Sequence, residues 1–211
     1  MFFRINFHPI SYIIQTERCY VVFTTIVETE ADLIQRAQDG DTGAFGELVH
    51  HYYAPVVNVA YRLCGETNLA EDMAQETFLR AWINLASFRP AASMKNWLYR
   101  IAVNATLDVL RRKSDVPMED EVVQMVMDPA ADPESALMAK ERSEHLQGLL
   151  RSLPEATRSV LVLREYGELS YQEIAAILDI PVGTVMSRLN YARTRLRDLL
   201  KEQTPAEFSY A

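Results

Sequence analysis

The chain has 211 residues, 49% of them hydrophobic and 24% charged, a composition typical of a folded protein rather than of one disordered throughout. Its length accommodates one or two domains, since about 100–200 residues per domain is usual. The formal net charge of −8 argues against a protein that coats nucleic acid by bulk attraction. Cys19 and Cys64 lie far apart and the histidines lack ligand spacing, so we predict no metal site, no disulfide framework and a cytoplasmic location.

Residues 1–27 are rich in apolar and aromatic side chains, but several polar residues and Pro9 interrupt them. A membrane span needs about 20 predominantly apolar residues, and a signal peptide needs an uninterrupted apolar centre. We therefore predict no membrane insertion and no signal peptide, and we expect this segment to be a poorly ordered N-terminal extension.

Apolar residues recur at helical spacing from Ala31 to Lys113, which predicts a bundle of three to four helices over residues 28–113. One helix is expected from about Leu69 to Leu85. Its predicted apolar stripe consists of Met73, Phe78, Trp82 and Leu85. An acidic, amide-bearing side is formed by Asp72, Gln75 and Glu76. Such a side is often merely solvated, so by itself it identifies no partner.

A further helix is expected from near Ser93 to about Arg112, with basic and amide side chains beside aromatic ones. The aromatic residues in question are Phe88, Trp97 and Tyr99. They could stack on the bases of single-stranded DNA, at about 1–3 kcal/mol per base, while Lys95 and nearby arginines follow the phosphates. The same aromatic residues could equally form the core, and the sequence leaves both interpretations open.

The segment 114–137 is predicted to be an acidic linker between two domains. Residues 114–145 contain nine acidic residues and two basic ones, and three prolines lie among them. This composition favours an extended tether over a packed element.

Helical periodicity returns over residues 138–203, where breaks near Pro154, Gly167 and Asp179–Gly183 predict four helices. Residues 204–211 would form a C-terminal tail. Ser170 and Glu173 have the spacing of a capping box, which marks a helix start. The tight turn before Val182 then predicts a helix-turn-helix, with these residues of its second helix packed inward: Val185, Leu189, Ala192 and Leu196.

The opposite side of this second helix carries the candidate DNA contacts. They are Thr184, Ser187, Arg188, Tyr191 and Arg195, with Arg193, Arg197 and Lys201 beside the DNA backbone. The N-terminal part of the second helix enters the major groove in proteins with this motif. The alternative is a helical hairpin whose basic side is only solvated.

Three blocks together resemble bacterial sigma factors of the extracytoplasmic-function group in the sigma-70 family. The blocks are AEDMAQETFLRAW at 70–82, SFRPAASMKNWLYRIAVNATLDVLRRK at 87–113 and LPEATRSVLVLREYGELSYQEIAAILDIPVGTVMSRLNYARTRL at 153–196. The resemblance covers residues 31–200. It implies an all-α protein of two small helical domains that acts as a transcription initiation factor and not as an enzyme.

The resemblance assigns a role to each block. Binding of core RNA polymerase falls to Asp72, Gln75 and Glu76. Capture of a base flipped from the −10 single strand falls to Asn104 and Asp108, with backbone contacts from Lys95, Arg100, Arg111 and Arg112. Recognition of the −35 duplex falls to Thr184, Ser187, Arg188, Tyr191 and Arg193. An anti-sigma factor is a further implied partner, whereas no cofactor and no small-molecule substrate are implied.

The sequence departs from the family pattern at a few positions. Met186 lies where a basic residue is frequent, Tyr191 replaces a common Arg, and Pro90 and Ala91 occupy a loop that often has Gly and an acid. Fewer phosphate-binding charges should weaken the DNA affinity of the second domain and reduce its salt dependence.

Two other classes of protein fit the helical pattern. One is a helix-turn-helix regulator whose N-terminal helices sense a ligand or dimerise, and copurification with core polymerase would distinguish it. The other is a helical adaptor without a DNA role, for which Arg188→Ala would leave transcription unchanged. Enzymes rank last, because no Gly-rich phosphate loop or nucleophile motif is present in the sequence.

Overall fold

A computed structural model gives the fold, and it describes residues 12–16, 19–23, 29–89, 93–114 and 133–203. The chain divides after Leu48 into two compact units. This division does not coincide with the acidic segment, because the helices on both sides of that segment belong to the second unit. The predicted domain boundaries therefore stay a prediction.

The first unit contains a short antiparallel hairpin, formed by β1 (Tyr12–Thr16) and β2 (Cys19–Phe23), in which Tyr12 is opposite Phe23. The structure thus differs from the expected poorly ordered extension over these two strands. Aromatic and β-branched residues predominate in both, and these residue types favour extended backbone. Helix α1 (Glu30–Gln38) follows, and it begins at a capping box formed by Thr29 and Asp32.

The remaining elements are helical, as the predicted all-α fold requires. Helix α2 (Thr42–Cys64) begins in the first unit and continues into the second. It is followed by α3 (Thr67–Asn84) with a 3₁₀ turn at Leu85–Ser87, and by α4 (Met94–Ser114). Beyond the acidic segment come α5 (Pro133–Arg151), α6 (Glu155–Glu165), α7 (Tyr171–Leu178) and α8 (Val182–Gln203).

Helix α3 packs on α4 through small side chains. Its fully buried residues are Ala70, Ala74, Thr77 and Ala81. The predicted apolar stripe is only partly correct, because Phe78 and Leu85 are buried whereas Met73 and Trp82 are half-buried. Small residues let helices approach closely, and the buried Thr77 hydroxyl donates to the Met73 carbonyl oxygen at 2.6 Å.

The C-terminal end of α2 contributes to a second part of the core. A buried cluster is formed by Ala60, Cys64, Leu69 and Ala70. Residues of α4, Val109 and Leu110, pack against this cluster from the outside. The joint between α2 and α3 is thereby fixed to the last turns of α4.

The predicted helix-turn-helix is confirmed. The Glu173 amide donates to the Ser170 hydroxyl at 3.3 Å, and the Ser170 amide donates to the Glu173 carboxylate at 2.8 Å, so the capping box is complete. Asp179 adopts the left-handed conformation, with φ of 52°, and ends α7 sharply before α8. Helix α8 packs on α6 and α7 through buried residues at the predicted positions, Val185, Leu189 and Ala192, whereas Leu196 is half-buried.

Part of the sequence-based prediction lies outside the described residues. This holds for residues 115–132 of the predicted linker, for the predicted tail at 204–211, and for Pro90 and Ala91. Residues 133–137, which we assigned to the end of the linker, are the first turn of α5.

Candidate nucleic-acid interface

One candidate surface lies on α3. Asp72 and Gln75 are exposed, and Glu76 is half-buried. The Arg80 guanidinium donates to the Glu76 carboxylate at 2.6 Å within the same helix. An exposed pair at this spacing contributes no more than about 1 kcal/mol, so a partner could displace it easily.

Two large apolar side chains extend this surface, and the sequence analysis missed them. Leu79 is 56% exposed and Ile83 is 69% exposed. Their spacing from Asp72 and Glu76 puts them on the same side of α3. Two neighbouring aliphatic side chains exposed to this degree give the surface an apolar part that a protein partner could bury. The i+3 and i+4 positions of these apolar residues were the available sequence signal.

A second candidate surface lies on α4. Arg100, Asn104 and Asp108 follow one another at intervals of four residues, and all three are exposed. Arg111 and Arg112 extend the surface toward the end of the helix, and both are exposed. The structure therefore brings these five predicted residues together along one helix.

The aromatic residues near the start of α4 are mainly structural. Phe88 and Tyr99 are buried, as the core interpretation expects, and burial raises the pKa of the Tyr99 hydroxyl. Trp97 is half-buried, and its ring centroid lies 5.0 Å from that of Phe88. The half-buried Lys95 has its ammonium 5.8 Å from the centre of the Tyr99 ring. Trp97 is thus the aromatic residue of this group with surface left for another molecule.

The α4 surface borders on the helices that follow the acidic segment. The Asn96 side-chain amide donates to the Glu173 carboxylate of α7 at 2.8 Å. Hydrogen bonds from Asn96 and then from Ser170 lower the pKa of Glu173 to about 2. Farther along α4, the Arg111 guanidinium lies 3.6 Å from the Asp108 carboxylate and 3.6 Å from the Glu155 carboxylate of α6. Both ends of α4 are therefore in contact with the second group of helices, α5–α8, which follow the acidic segment.

The end of α2 is covered by side chains from the same group of helices. The Arg158 guanidinium donates to the Leu63 carbonyl oxygen at 2.8 Å. The Gln147 amide donates to the carbonyl oxygens of Tyr61 at 3.2 Å and Arg62 at 3.3 Å. These bonds supply additional donors to carbonyl oxygens in the last turn of the helix, where intrahelical donors run out. The two groups of helices are therefore joined by specific polar contacts.

The backbone at Gly167, between α6 and α7, approaches α4 closely and adds to the contact between the two groups of helices. A Cβ atom at Gly167 would lie 2.6 Å from the Leu163 carbonyl oxygen and 3.2 Å from the Tyr99 ring of α4. Only glycine allows the backbone to lie this close to both groups.

The third candidate surface is the N-terminal part of α8. Ser187 and Tyr191 are exposed, and Thr184 is half-buried. The Ser187 hydroxyl donates to the Thr184 carbonyl oxygen at 3.0 Å. This surface is open to solvent, in contrast to the bordered surface of α4.

Two of the predicted arginines of α8 contact residues in their own group of helices. The Arg188 guanidinium donates to the Ala156 carbonyl oxygen at 3.5 Å. The Arg193 guanidinium donates to the Glu165 carboxylate at 3.3 Å, and this bond raises the pKa of Arg193. Each of the two arginines therefore has an intramolecular partner, and its other N–H groups remain available to a DNA phosphate.

Met186 and Asn190 are also exposed on this part of α8, and neither was among the predicted contacts. Met186 departs from the family pattern, but that departure alone does not mark it as a contact. The spacing of four residues between Met186 and Asn190, each directly before a predicted contact, was the signal that could have identified them.

Within residues 29–89, 93–113 and 141–202, no group of three or more His, Cys, Asp or Glu side chains could hold a metal ion. Among the helices that the structure describes, none is long and apolar enough to cross a membrane.

Comparisons with known proteins agree with this arrangement of helices. Residues 48–116 match the family Sigma-70 region 2, and residues 143–196 match Sigma-70, region 4. The ECF RNA polymerase sigma factor SigW of Bacillus subtilis is 38% identical over 179 residues, which cover 80% of this chain and 95% of that protein. The ECF RNA polymerase sigma-E factor of Escherichia coli K12 is 36% identical over 174 residues, covering 78% and 91%.

Two solved structures have the same fold over most of the chain. CnrH, in complex with the cytosolic domain of CnrY, has a TM-score of 0.65 at 26% identity and covers 83% of this chain and 99% of its own. The sigma factor RpoE of Bartonella quintana, in complex with the anti-sigma factor NepR, has a TM-score of 0.61 at 25% identity, with coverages of 76% and 98%.

The sequence blocks, the helix-turn-helix and the comparisons agree, and they favour an initiation factor over a helix-turn-helix regulator with a sensing domain. The chain belongs to the extracytoplasmic-function group of the sigma-70 family, and it is a transcription initiation factor that binds core RNA polymerase and directs it to promoters.

Proposed function

We propose that three helices divide the work of initiation between them: α3 binds core polymerase, α4 holds the melted −10 strand, and the start of α8 reads the −35 duplex. One observation carries this proposal. Each of the three helices has its own exposed row of polar side chains, and the rows lie on separate helices. A single chain can therefore contact polymerase, single-stranded DNA and duplex DNA at once.

For α3, the proposed polymerase contacts are Asp72, Gln75 and Glu76. Support comes from the neighbouring Leu79 and Ile83, whose exposure would be covered in a complex. Aliphatic groups surrounded by charged and amide side chains can supply both burial and orientation at a protein interface.

For α4, the proposed base-binding residues are Asn104 and Asp108. The proposed backbone contacts are Lys95, Arg100, Arg111 and Arg112. Unstacking a base costs a few kcal/mol, and a protein site that receives the extruded base offsets that cost. The half-buried Trp97, held against Phe88, offers part of an aromatic surface near this row.

For α8, the proposed duplex contacts are Thr184, Ser187, Arg188, Tyr191 and Arg193. Because Arg188 and Arg193 have intramolecular partners and the chain is negatively charged overall, we expect weak binding of promoter DNA by the free protein. Tight and specific binding at physiological salt, measured by fluorescence anisotropy, would contradict this expectation.

We also propose that the chain has no catalytic activity of its own, that it acts in the cytoplasm, and that an anti-sigma factor binds it. We further propose a domain boundary in the acidic segment, with residues 28–113 and 138–203 on either side. The solved complex of a similar sigma factor with an anti-sigma factor supports the choice of partner.

Run-off transcription with purified core polymerase and a promoter library tests the proposed function directly. The chain should convert core polymerase, inactive at promoters, into an enzyme that starts RNA at a defined subset of sites. Failure to start RNA at any site, combined with repression or activation by the chain alone, would overturn the assignment.

Matched variants test the division of work. Asp72→Lys should abolish copurification with core polymerase, whereas Glu141→Lys reverses an exposed charge on α5 and should leave it unchanged. Asn104→Ala should reduce the permanganate reactivity of unpaired thymines at the −10 element, whereas the exposed Asn68→Ala on α3 should not. Equal effects of a variant and its control would contradict the role of that helix.

A further inference from the structure

We propose that Met186 and Asn190 determine promoter specificity by reading A·T base pairs of the −35 duplex in the major groove, Met186 through the thymine methyl group and Asn190 through the adenine edge. This inference rests on the proposed role of α8 as the reader of duplex DNA. It adds to that role two residues and the class of base pair that they recognise.

The two side chains form one small surface near the start of α8. Met186 is 55% exposed, and Asn190 lies four residues farther along and is also exposed. Residues at this spacing are neighbours on a helix surface. One turn before Met186, the exposed Gly183 has open space where a Cβ would be.

Several of the other candidates on this part of α8 have intramolecular partners, whereas the exposed Tyr191 remains a further candidate contact. The guanidinium groups of Arg188 and Arg193 donate to Ala156 and Glu165. The Ser187 hydroxyl donates its proton to the Thr184 carbonyl oxygen. The side-chain amide of Asn190, in contrast, has no hydrogen bond to any part of the chain that the structure describes. It retains both its donors and its acceptor for a base.

The chemistry of the major groove fixes what these groups can recognise. The thymine C5-methyl group is the apolar feature that base pairs present there, and an exposed thioether side chain can cover it. An asparagine amide matches adenine, because it donates to N7 while its oxygen accepts from the N6 amino group. Four residues of helix rise about 6 Å, which spans neighbouring base pairs. The pair therefore fits adjacent A·T pairs.

Atom-level changes in the DNA test the proposal without altering the protein. Holoenzyme is assembled from core polymerase and the full chain, and run-off transcription is measured from a promoter selected from a library. Each thymine of the −35 duplex is replaced singly by deoxyuridine, which lacks the methyl group, and each adenine by 7-deazaadenine, which lacks the N7 acceptor. At one thymine, deoxyuridine should reduce initiation about fourfold, the effect expected for one buried methyl group. At one adenine, 7-deazaadenine should reduce it about fivefold or more.

Protein variants then assign each effect to its side chain. Met186→Ala should lose the response to deoxyuridine and keep the response to 7-deazaadenine, and Asn190→Ala should do the reverse. Leu200→Ala is the matched control, because Leu200 is a 48% exposed apolar residue near the other end of α8, and it should keep both responses.

The possible failures are distinguishable. If a scrambled −35 duplex supports full initiation, the proposed role of α8 itself is wrong. If scrambling abolishes initiation but no deoxyuridine or 7-deazaadenine substitution matters, α8 reads the duplex without Met186 and Asn190, and this inference is overturned. It is also overturned if Met186→Ala and Asn190→Ala retain the wild-type responses.

Discussion

Helices α4 and α8 carry the predicted DNA contacts, and they differ in what surrounds them in the free chain. The α4 surface is bordered at both ends by the second group of helices, through Asn96 with Glu173 and Arg111 with Glu155. The N-terminal part of α8 packs on α6 and α7, and its Arg188 and Arg193 contact residues in that same group of helices. Accessibility of α4 therefore depends on the contact between the two groups of helices, whereas accessibility of α8 does not.

The proposed roles of the two helices are consistent with this difference. Under those roles α4 meets its DNA only after strand separation, so its surface can remain bordered until then. A surface for duplex DNA meets its target in its ordinary form and can stay open.

The strongest test of the contact between the two groups of helices is Arg158→Ala. Loss of the half-buried Arg158 guanidinium leaves the Leu63 carbonyl oxygen without this 2.8 Å bond. We expect the free energy of unfolding to fall by about 2 kcal/mol, as for other hydrogen bonds to charged groups. Urea unfolding followed by circular dichroism measures this change.

Arg195→Ala is the matched control for that measurement, because Arg195 is exposed on α8. Its urea midpoint should match that of the wild type. If Arg158→Ala has the same midpoint as well, the bond to Leu63 does not stabilise the joint.

The next effect concerns the start of α7. Ser170→Ala removes the hydroxyl that accepts from the Glu173 amide, and a lost N-cap of this kind costs about 1 kcal/mol. Glu173 should then also be held less firmly toward Asn96. Ser187→Ala removes an exposed hydroxyl from within α8 and serves as the control. Equal thermal midpoints for the two variants would contradict the stabilising role of the capping box.

The Glu173 carboxylate should make stability depend on pH. Its pKa is lowered to about 2 from an ordinary value of 4.5, so the folded chain favours the charged form. The resulting stabilisation is fully present above about pH 4.5 and is lost as the pH falls toward 2. Glu173→Gln should therefore be less stable than the wild type at neutral pH, and the difference should shrink over that interval. A difference that is independent of pH would show that charge is not involved.

The smallest expected effect concerns the ion pair between Arg193 of α8 and Glu165 of α6. Glu165 and Arg193 are about half exposed and 3.3 Å apart, so their pair contributes little to stability. Glu165→Gln should leave the urea midpoint unchanged but release Arg193 for a phosphate. The binding of holoenzyme to promoter DNA should then become more salt-dependent, by close to one unit of the logarithmic slope. An unchanged slope would mean that Arg193 does not reach the DNA backbone.

Much of the fold could be predicted because it follows from local patterns. The Ser170–Glu173 spacing and the turn at Asp179 located α7 and α8, and the inward-facing positions from Val185 to Ala192 followed from helical periodicity. The same reasoning failed on α3, where the core consists of alanines and Thr77 rather than of large side chains. Hydrophobicity alone does not identify a helix face that packs through small residues.

The contacts between the two groups of helices could not be predicted, because they join residues far apart in the sequence. No local pattern indicates that Gln147 and Arg158 would donate to the end of α2. The site prediction was limited in a similar way. The positions of Arg188 and Arg193 on α8 suggested DNA contacts, but their intramolecular partners became evident only from the structure.

The buried thiol at the end of α2 gives the molecule a built-in chemical reporter. Burial raises the pKa of Cys64 to about 11, and its sulfur donates to the Glu66 carbonyl oxygen at 3.3 Å. Because the thiolate is the form that reacts with alkylating reagents, Cys64 should be labelled slowly at neutral pH while it is buried. The Arg158 guanidinium is close enough to interact electrostatically with this thiol. With Cys19 replaced by serine, the labelling rate would therefore report how often the end of α2 is uncovered, without any attached dye.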